Sequence, residues 1–188
     1  MSSKIYPHDR LMAATVLKLI PAWVTPNQIT ILRMLLTPAV VWLLWSRSYA
    51  PGLPLFLVVA FTDMIDGSLA RTRDQVTSWG MLWDPVADKL LIGSIGVLLL
   101  FRAFPSGLIA VVFGLEAAFL IGGYWRKRQG VIVSANWWGK FKMLSQVAGV
   151  ALYLAFLETG SAPVASFSYA AFVLAALLAV GSLFSHGV

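Results

Sequence analysis

The sequence predicts an all-α integral membrane protein with six transmembrane helices, preceded by a short N-terminal amphipathic helix at the membrane surface. The 188 residues are 59% hydrophobic and 12% charged, with a mean hydropathy of +0.81, which is too apolar for a soluble domain. Apolar runs of about 20 residues, the length that spans a bilayer, recur along the chain. Glycine, proline, serine or charged clusters separate these runs. We therefore expect a single membrane domain over residues 1–188.

The first predicted element is an amphipathic helix over about 8–20. Its apolar side chains fall on one side, while Arg10 and Lys18 lie elsewhere, and Pro21 follows it. A helix of this kind lies in the plane of the membrane interface. Because Asp9 and both basic residues interrupt the segment, it does not have the apolar core of a cleaved signal peptide.

The later elements are predicted as membrane spans because each is an apolar run bounded by turn residues or charges. The last of them is rich in alanine and has no ionisable group, so we interpret it as scaffold. The predicted spans cover about 29–46, 52–70, 80–101, 106–125, 138–157 and 163–184.

The distribution of basic residues predicts the orientation of these spans. If the N-terminus is cytoplasmic, the outer loops contain only Arg47 and Arg102, and the other lysines and arginines fall on the inside. Both termini are then cytoplasmic, and we expect the membrane to be the cytoplasmic membrane of a prokaryote. The net charge of +6 is spread between apolar segments, which favours contact with anionic lipid and argues against nucleic-acid binding.

Four aspartates, Asp63, Asp66, Asp84 and Asp88, make up half of the eight acidic residues and lie in otherwise apolar sequence. They form the pattern DxxDGxxAR, eight residues, then GxxxDxxxD. At about 100° per residue, each helix presents its carboxylates on a single face. With the orientation above, both faces lie in the cytoplasmic half of two consecutive antiparallel helices.

Carboxylates that converge in an apolar setting repel one another unless cations are present. Because the chain has no cysteine, a bound metal must use oxygen ligands, which favours Mg²⁺ or Mn²⁺ and a phosphate-bearing substrate. Small residues at Gly67, Ala70 and Gly80 leave room for a ligand, and Arg71 offers a bidentate fork for phosphate. The alternative is that the aspartates form ion pairs with Arg71, Arg73 or Lys89, and that the glycines only permit close helix packing.

The pattern resembles the signature of the CDP-alcohol phosphotransferase (CDP-alcohol phosphatidyltransferase) family at every fixed position. Residues 25–30, with the sequence TPNQIT, and the following Arg33 and Pro38 are similar to the first-span motif of its bacterial phospholipid synthases. The resemblance implies a six-helix, homodimeric membrane enzyme that transfers a phosphatidyl group from CDP-diacylglycerol to an alcohol and releases CMP. It also implies two metal ions held by Asp63, Asp66, Asp84 and Asp88, with Asp88 as the base, and a CDP site formed by Asn27, Asp63, Gly67, Ala70, Arg71 and Gly80.

Within the family, residues 84–89 and 69–71 most resemble the phosphatidylglycerophosphate synthases, whose acceptor is glycerol 3-phosphate. By the same resemblance, Lys140 and Lys142 are candidates for the acceptor phosphate, although lysines are also common beside the inner end of a span. Glu116 matches a further element of these synthases, but Leu115 stands where they have an arginine. The remaining acceptor candidates are Arg33 and Lys89. In the alternative interpretation, the Arg33 side chain extends toward the membrane interface, and Lys89 forms an ion pair with an aspartate.

Other acceptors remain open at this point, namely serine, inositol phosphate, phosphatidylglycerol or an aminoalcohol. A transporter that relays ions through the carboxylates is the alternative of a different class. It predicts polar residues in both halves of the membrane, whereas the outer halves of the second and third spans are nearly pure aliphatic. The distribution of charge therefore favours the enzyme.

Overall fold

The computed structural model describes residues 6–102 and 137–185, together with the single positions 107, 111, 114 and 117. Throughout this part of the chain the regular elements are helices. A short 3-10 helix, Val16–Leu19, follows the first α-helix. The α-helices are α1 Pro7–Ala14, α2 Pro26–Trp45, α3 Tyr49–Thr72, α4 Ser78–Arg102, α5 Trp137–Thr159 and α6 Ala162–Ser185.

Four segments within these helices are long and apolar enough to cross a membrane: Pro26–Trp45, Tyr49–Thr72, Phe141–Thr159 and Ala162–Gly181. The prediction of an all-α membrane protein is thereby confirmed. Helix α4 has 25 residues, but it also carries Asp84, Asp88 and Lys89. The predicted span at 106–125 lies outside the described residues, apart from the four single positions.

The chain forms two compact units, residues 1–94 and 95–188. Helices α1 to α3 and the first part of α4 belong to the first unit. Helices α5 and α6 belong to the second, where they pack together and Ser168 Oγ on α6 donates to the Gly149 carbonyl on α5 at 2.8 Å. Because all four motif aspartates precede residue 95, the candidate site lies in the first unit.

The start of α2 is fixed by a capping box. The Thr25 backbone N–H donates to Gln28 Oε1 at 2.8 Å, and the Gln28 N–H donates to Thr25 Oγ1 at 3.4 Å. Pro26 occupies the first helical turn, where its missing N–H is not needed. The TPNQ sequence therefore sets where α2 begins, and so where Thr30 and Arg33 lie relative to α3.

The N-terminal segment differs from the single helix predicted over 8–20. It breaks at Thr15, whose backbone leaves the helical region at φ −117° and ψ −90°. Thr15 Oγ1 donates to the Leu11 carbonyl at 2.8 Å, a local bond that competes with helix continuation. The 3-10 turn that follows directs Leu17 into a small core with Met12 and with residues of α2 and α3.

A short turn joins α3 to α4. The Gln75 N–H donates to the Ala70 carbonyl at 2.9 Å, and Asp74 adopts the left-handed conformation with φ 53°. Thr77 Oγ1 then accepts the Gly80 N–H at 2.9 Å and caps the first turn of α4. The C-terminal end of α3 and the N-terminal end of α4 are thus neighbours, which brings the two halves of the aspartate pattern together.

Candidate active site

The four motif aspartates gather around Arg33, a side chain of α2 that is fully buried. Arg33 Nη1 donates to Asp63 Oδ1 at 3.0 Å and also contacts Asp88 Oδ1. Arg33 Nη2 contacts Asp66 Oδ2. Helices α2, α3 and α4 therefore meet at one guanidinium.

The hydroxyl of Thr30 joins the fourth aspartate to this group. It donates to Asp84 Oδ1 at 2.7 Å and lies 3.2 Å from Asp66 Oδ2. Thr30 precedes Arg33 by about one helical turn, so both side chains lie on the same face of α2. Arg33 Nε donates to Thr62 Oγ1 at 3.3 Å, and this hydroxyl donates onward to a backbone carbonyl of α3.

The charges of this cluster do not balance. In the region that the structure describes, three carboxylates contact the Arg33 guanidinium and a fourth, Asp84, is joined to them through Thr30, so the formal negative charge exceeds the positive charge. A cluster of negative charge among apolar helices is stabilised by further cations.

The donor set suits a hard divalent cation, because it consists of carboxylate and hydroxyl oxygens. The carboxylates are arranged around Arg33, however, and within the described residues no three acidic or histidine side chains close on a common point as a preformed metal cage. A metal ion at these aspartates would therefore share them with the guanidinium or displace it.

A polar group beside the cluster involves Asn27 on α2 and the first turn of α4. Thr77 Oγ1 donates to Asn27 Oδ1 at 2.9 Å, which fixes the direction of the amide. A methyl group on Gly80 would lie 3.2 Å from Asn27 Oδ1 and 3.4 Å from Asp84 Oδ2. Glycine at position 80 thus keeps the space between Asn27 and the carboxylates open.

The arginine of the motif, Arg71, is held by Asp9 of α1. Arg71 Nε donates to Asp9 Oδ2 at 2.8 Å, and Nη2 donates to Asp9 Oδ1 at 2.7 Å. The guanidinium lies over Gly67, where a methyl group would be 3.2 Å from Nη1. A glycine one turn before the arginine therefore allows this position of the guanidinium.

Asp9 itself is buried. Burial alone would raise its pKa, but the hydrogen bond from Arg71, the Tyr6 backbone N–H and the Ser68 hydroxyl outweigh that effect. Together they hold the pKa of Asp9 well below its ordinary value. Asp9 is therefore a permanent anion at neutral pH.

These contacts can be compared with the alternative in which the motif aspartates form ion pairs with Arg71, Arg73 or Lys89. Arg71 pairs with Asp9, and Arg73 donates to backbone carbonyls that include Ile20 at 2.7 Å. Lys89 is exposed. Among the ion pairs seen in residues 6–102, the cation bound by the motif aspartates is Arg33, whose side chain is fully buried.

The structure brings together most residues that the sequence singled out. Asn27, Arg33, Gly80 and the four aspartates form one neighbourhood, and Gly67, Ala70 and Arg71 occupy the next turns of α3. Of the candidates for acceptor binding, Arg33 lies in this neighbourhood and Lys89 is exposed on α4. Lys142 lies half-buried on α5 in the second unit, Lys140 is on the same helix with its side chain outside the description, and Glu116 is outside the described residues.

Sequence reasoning missed Thr30, Thr62, Thr77 and Asp9 as neighbours of the candidate site. Thr30 carried a signal, because it lies about one turn before Arg33 in the first-span motif. Asp9 carried none, since a lone acidic residue in an amphipathic helix is usually solvated. Its partner Arg71 is separated from it by 62 residues.

A family model described as CDP-alcohol phosphatidyltransferase matches residues 23–182. A Bacillus subtilis protein is 30% identical over 145 residues, covering 69% of this chain and 75% of the relative. A Mycoplasma genitalium protein is 34% identical over 97 residues (51% and 41%), and a Rickettsia typhi protein is 40% identical over 78 residues (40% and 44%). All three are named CDP-diacylglycerol--glycerol-3-phosphate 3-phosphatidyltransferase. The matched part of the chain spans less than half the length of the latter two relatives.

Proposed function

The chain belongs to the CDP-alcohol phosphatidyltransferase family, and on this basis we propose that it transfers a phosphatidyl group from CDP-diacylglycerol to glycerol 3-phosphate and releases CMP. This reaction is a step of phospholipid biosynthesis. The observation that carries the proposal is the convergence of four carboxylates from two helices, of which Asp63, Asp66 and Asp88 contact the buried Arg33 and Asp84 binds Thr30. A fold that needed these carboxylates only for helix-end ion pairs would not gather them at one point.

We propose that these aspartates hold two divalent ions, Mg²⁺ or Mn²⁺. When bound, the metal ions would neutralise the negative charge on the diphosphate and on the departing CMP. The excess of negative charge over the single guanidinium of Arg33 supports this assignment, as does the all-oxygen donor set. Thr30 fixes the orientation of Asp84 through its hydroxyl hydrogen bond.

Asp88 is the proposed base. Its carboxylate removes the proton from the acceptor hydroxyl, whose oxygen then attacks the phosphorus that carries the diacylglycerol. The bond between that phosphorus and the bridging oxygen breaks, and the electron pair leaves with CMP. The contact with Arg33 holds the Asp88 carboxylate beside the other motif aspartates.

The CDP moiety is assigned to Asn27, Asp63, Gly67, Ala70, Arg71 and Gly80. The absence of a side chain at Gly80 leaves space next to Asn27 and Asp84, beside the carboxylates. Arg71 presents a planar guanidinium near the same end of α3, suited to phosphate oxygens. The nucleotide and its diphosphate thereby lie next to the proposed base.

Glycerol 3-phosphate is proposed as the acceptor because the relatives that match this chain carry its name. Its phosphate requires cations, and the proposed ligands are Lys140 and Lys142, with Arg33, Lys89 and Glu116 as further candidates. The protein is proposed to be a homodimer with six spans, α1 at the interface and both termini in the cytoplasm. The site then faces the cytoplasm, where water-soluble glycerol 3-phosphate is available.

The proposal is tested with purified protein, CDP-diacylglycerol, Mg²⁺ and one radiolabelled acceptor at a time. The acceptors are glycerol 3-phosphate, serine, inositol phosphate, phosphatidylglycerol and an aminoalcohol. We expect labelled lipid and an equal amount of CMP with glycerol 3-phosphate, and neither product when a chelator removes the metal. Labelled lipid with a different acceptor alone would overturn the acceptor, and no CMP with any acceptor would overturn the reaction.

A further inference from the structure

Helix α1 is attached to the motif end of α3 by a buried carboxylate. Asp9 has no exposed surface and accepts two hydrogen bonds from Arg71, at 2.8 and 2.7 Å. Ser68 Oγ donates to Asp9 Oδ1 at 2.8 Å, and the Tyr6 N–H donates to Asp9 Oδ2 at 2.8 Å. The Tyr6 ring also lies 5.5 Å from the centre of the Arg71 guanidinium.

We propose that Asp9 is a positioning residue of the nucleotide site: it holds Arg71 in the orientation that receives the diphosphate of CDP-diacylglycerol. The inference rests on the proposed function and adds to it a residue outside the sequence motif. It also makes α1, an element of the membrane surface, a part of the substrate site.

The geometry of the guanidinium supports this role. A guanidinium has five N–H donors in one plane, and Asp9 binds along the edge formed by Nε and Nη2. Nη1 lies on the other side, over the bare backbone of Gly67. A phosphate that approaches across Gly67 then meets a guanidinium whose rotation is already restricted.

A restricted side chain binds more tightly because less conformational entropy is lost when the ligand arrives. The arginine side chain has large rotamer entropy, so an Arg71 without this restriction would contribute less to the binding of the substrate. The same bidentate pair has a purely structural alternative, in which it only docks α1 on α3. Met12 and Leu17 also dock α1, through the core that they share with Ile29 and Leu69, and they provide a way to separate the two roles.

The test compares Asp9→Asn with two controls, Asp74→Asn and Met12→Ala. Asp74 is an exposed aspartate in the left-handed conformation, which asparagine also adopts. Met12 packs α1 against α2 and α3, and it takes no part in the hydrogen bonds of Arg71 described above. We expect Asp9→Asn to raise the KM for CDP-diacylglycerol and the Kd for CDP about tenfold, with kcat within about twofold of the wild type. Neither control should change the KM by that amount.

The decisive comparison repeats Asp9→Asn in an Arg71→Ala background. If Asp9 acts through Arg71, the substitution has no further effect on the affinity for CDP there. An equal rise in KM for Met12→Ala would show that Asp9 only docks α1, and an equal effect of Asp9→Asn in both backgrounds would show that it acts without Arg71. Ser68→Ala removes a single hydrogen bond to Asp9 and should weaken CDP binding by less than Asp9→Asn does. This variant replaces Asp9→Asn in the comparison if Asp9→Asn unfolds. Absence of CMP release by the wild type would contradict the proposed function, whereas the variant ratios of CDP affinity decide the role of Asp9.

Discussion

Arg33 determines the charge balance of the aspartate cluster. It is a fully buried cation that contacts Asp63, Asp66 and Asp88, while Thr30 binds Asp84. Removal of one partner from a buried ionic group leaves uncompensated charge, which is much more costly than loss of a surface pair. The cluster should therefore depend on Arg33 for stability, and more so when no divalent cation is bound.

We expect Arg33→Met to lower the free energy of unfolding by about 3–5 kcal/mol in the presence of a chelator. Mg²⁺ should restore part of this loss, because a divalent cation can take over the neutralisation of the carboxylates. Thermal unfolding in detergent, with and without Mg²⁺, measures both effects. Arg10→Met, at an exposed position of α1, is the matched control. A variant that melts like the wild type, or whose Mg²⁺ response is no larger, would contradict this account of Arg33.

At the scale of single residues, the sequence was sufficient to identify the four aspartates and Gly80 as neighbours, whereas Asn27 was assigned to the site through the family resemblance alone. Regular helix geometry places them on defined faces, and a short turn brings α3 and α4 together. It was not sufficient for Arg33, whose surroundings depend on how α2 packs against α3 and α4. The same limit explains Asp9, because contacts between distant segments leave no trace in local periodicity.

At the scale of elements, the attachment of α1 to α3 depends on a charged group as well as on apolar packing. The carboxylate of Asp9 must be ionised to accept both hydrogen bonds from Arg71. Because the pKa of Asp9 is held below its ordinary value, folding favours the charged form. The resulting stabilisation is complete above the ordinary pKa of aspartate and is lost progressively as the pH falls from there to the lowered pKa of Asp9.

This linkage predicts that α1 detaches in acid. A spin label at Leu11→Cys reports on α1 specifically, because the chain has no native cysteine and Leu11 is exposed. We expect the label to stay immobilised from neutral pH down to about pH 4 and to become mobile below it. The Asp9→Asn variant should show no such step. An identical acid transition in that variant, or a mobile label at pH 7, would refute the role of the Asp9 carboxylate.

The helices themselves were largely predictable. The predicted spans at 29–46, 52–70, 80–101, 138–157 and 163–184 each fall within a few residues of α2 to α6. Long apolar runs bounded by turn residues leave little choice of structure in a membrane. The exception is the amphipathic helix over 8–20, which breaks at Thr15, because the hydrogen bond from the Thr15 hydroxyl to the Leu11 carbonyl is not visible in hydrophobic periodicity.

For the protein in its membrane, the proposed function requires that the motif end of α3 and α4 face the cytoplasm. The turn between α2 and α3 lies at the opposite end of α3 and must then face outside. This arrangement follows from the bias of lysine and arginine toward inner segments. It is also the arrangement in which a water-soluble acceptor reaches the site from the cytoplasm.

Two exposed serines provide a matched test of orientation, Ser46 after α2 and Ser78 at the start of α4. In intact cells, a membrane-impermeant maleimide should label Ser46→Cys, whereas Ser78→Cys should react only after lysis. The chain without substitutions has no cysteine and provides the background. Labelling of Ser78→Cys in intact cells, without labelling of Ser46→Cys, would show that the proposed orientation is inverted.

We propose that the carboxylates of α3 and α4 form the catalytic site for phosphatidyl transfer from CDP-diacylglycerol. The most direct measurement is the rate of CMP release by purified wild type, Asp88→Asn and Asp74→Asn, with Mg²⁺ and glycerol 3-phosphate, after thermal unfolding has shown that each is folded. We expect wild type and Asp74→Asn to release CMP at similar rates and Asp88→Asn to be slower by at least about a hundredfold. Near-normal CMP release by Asp88→Asn would contradict the assignment of the base, and no release by the wild type would contradict the proposed reaction.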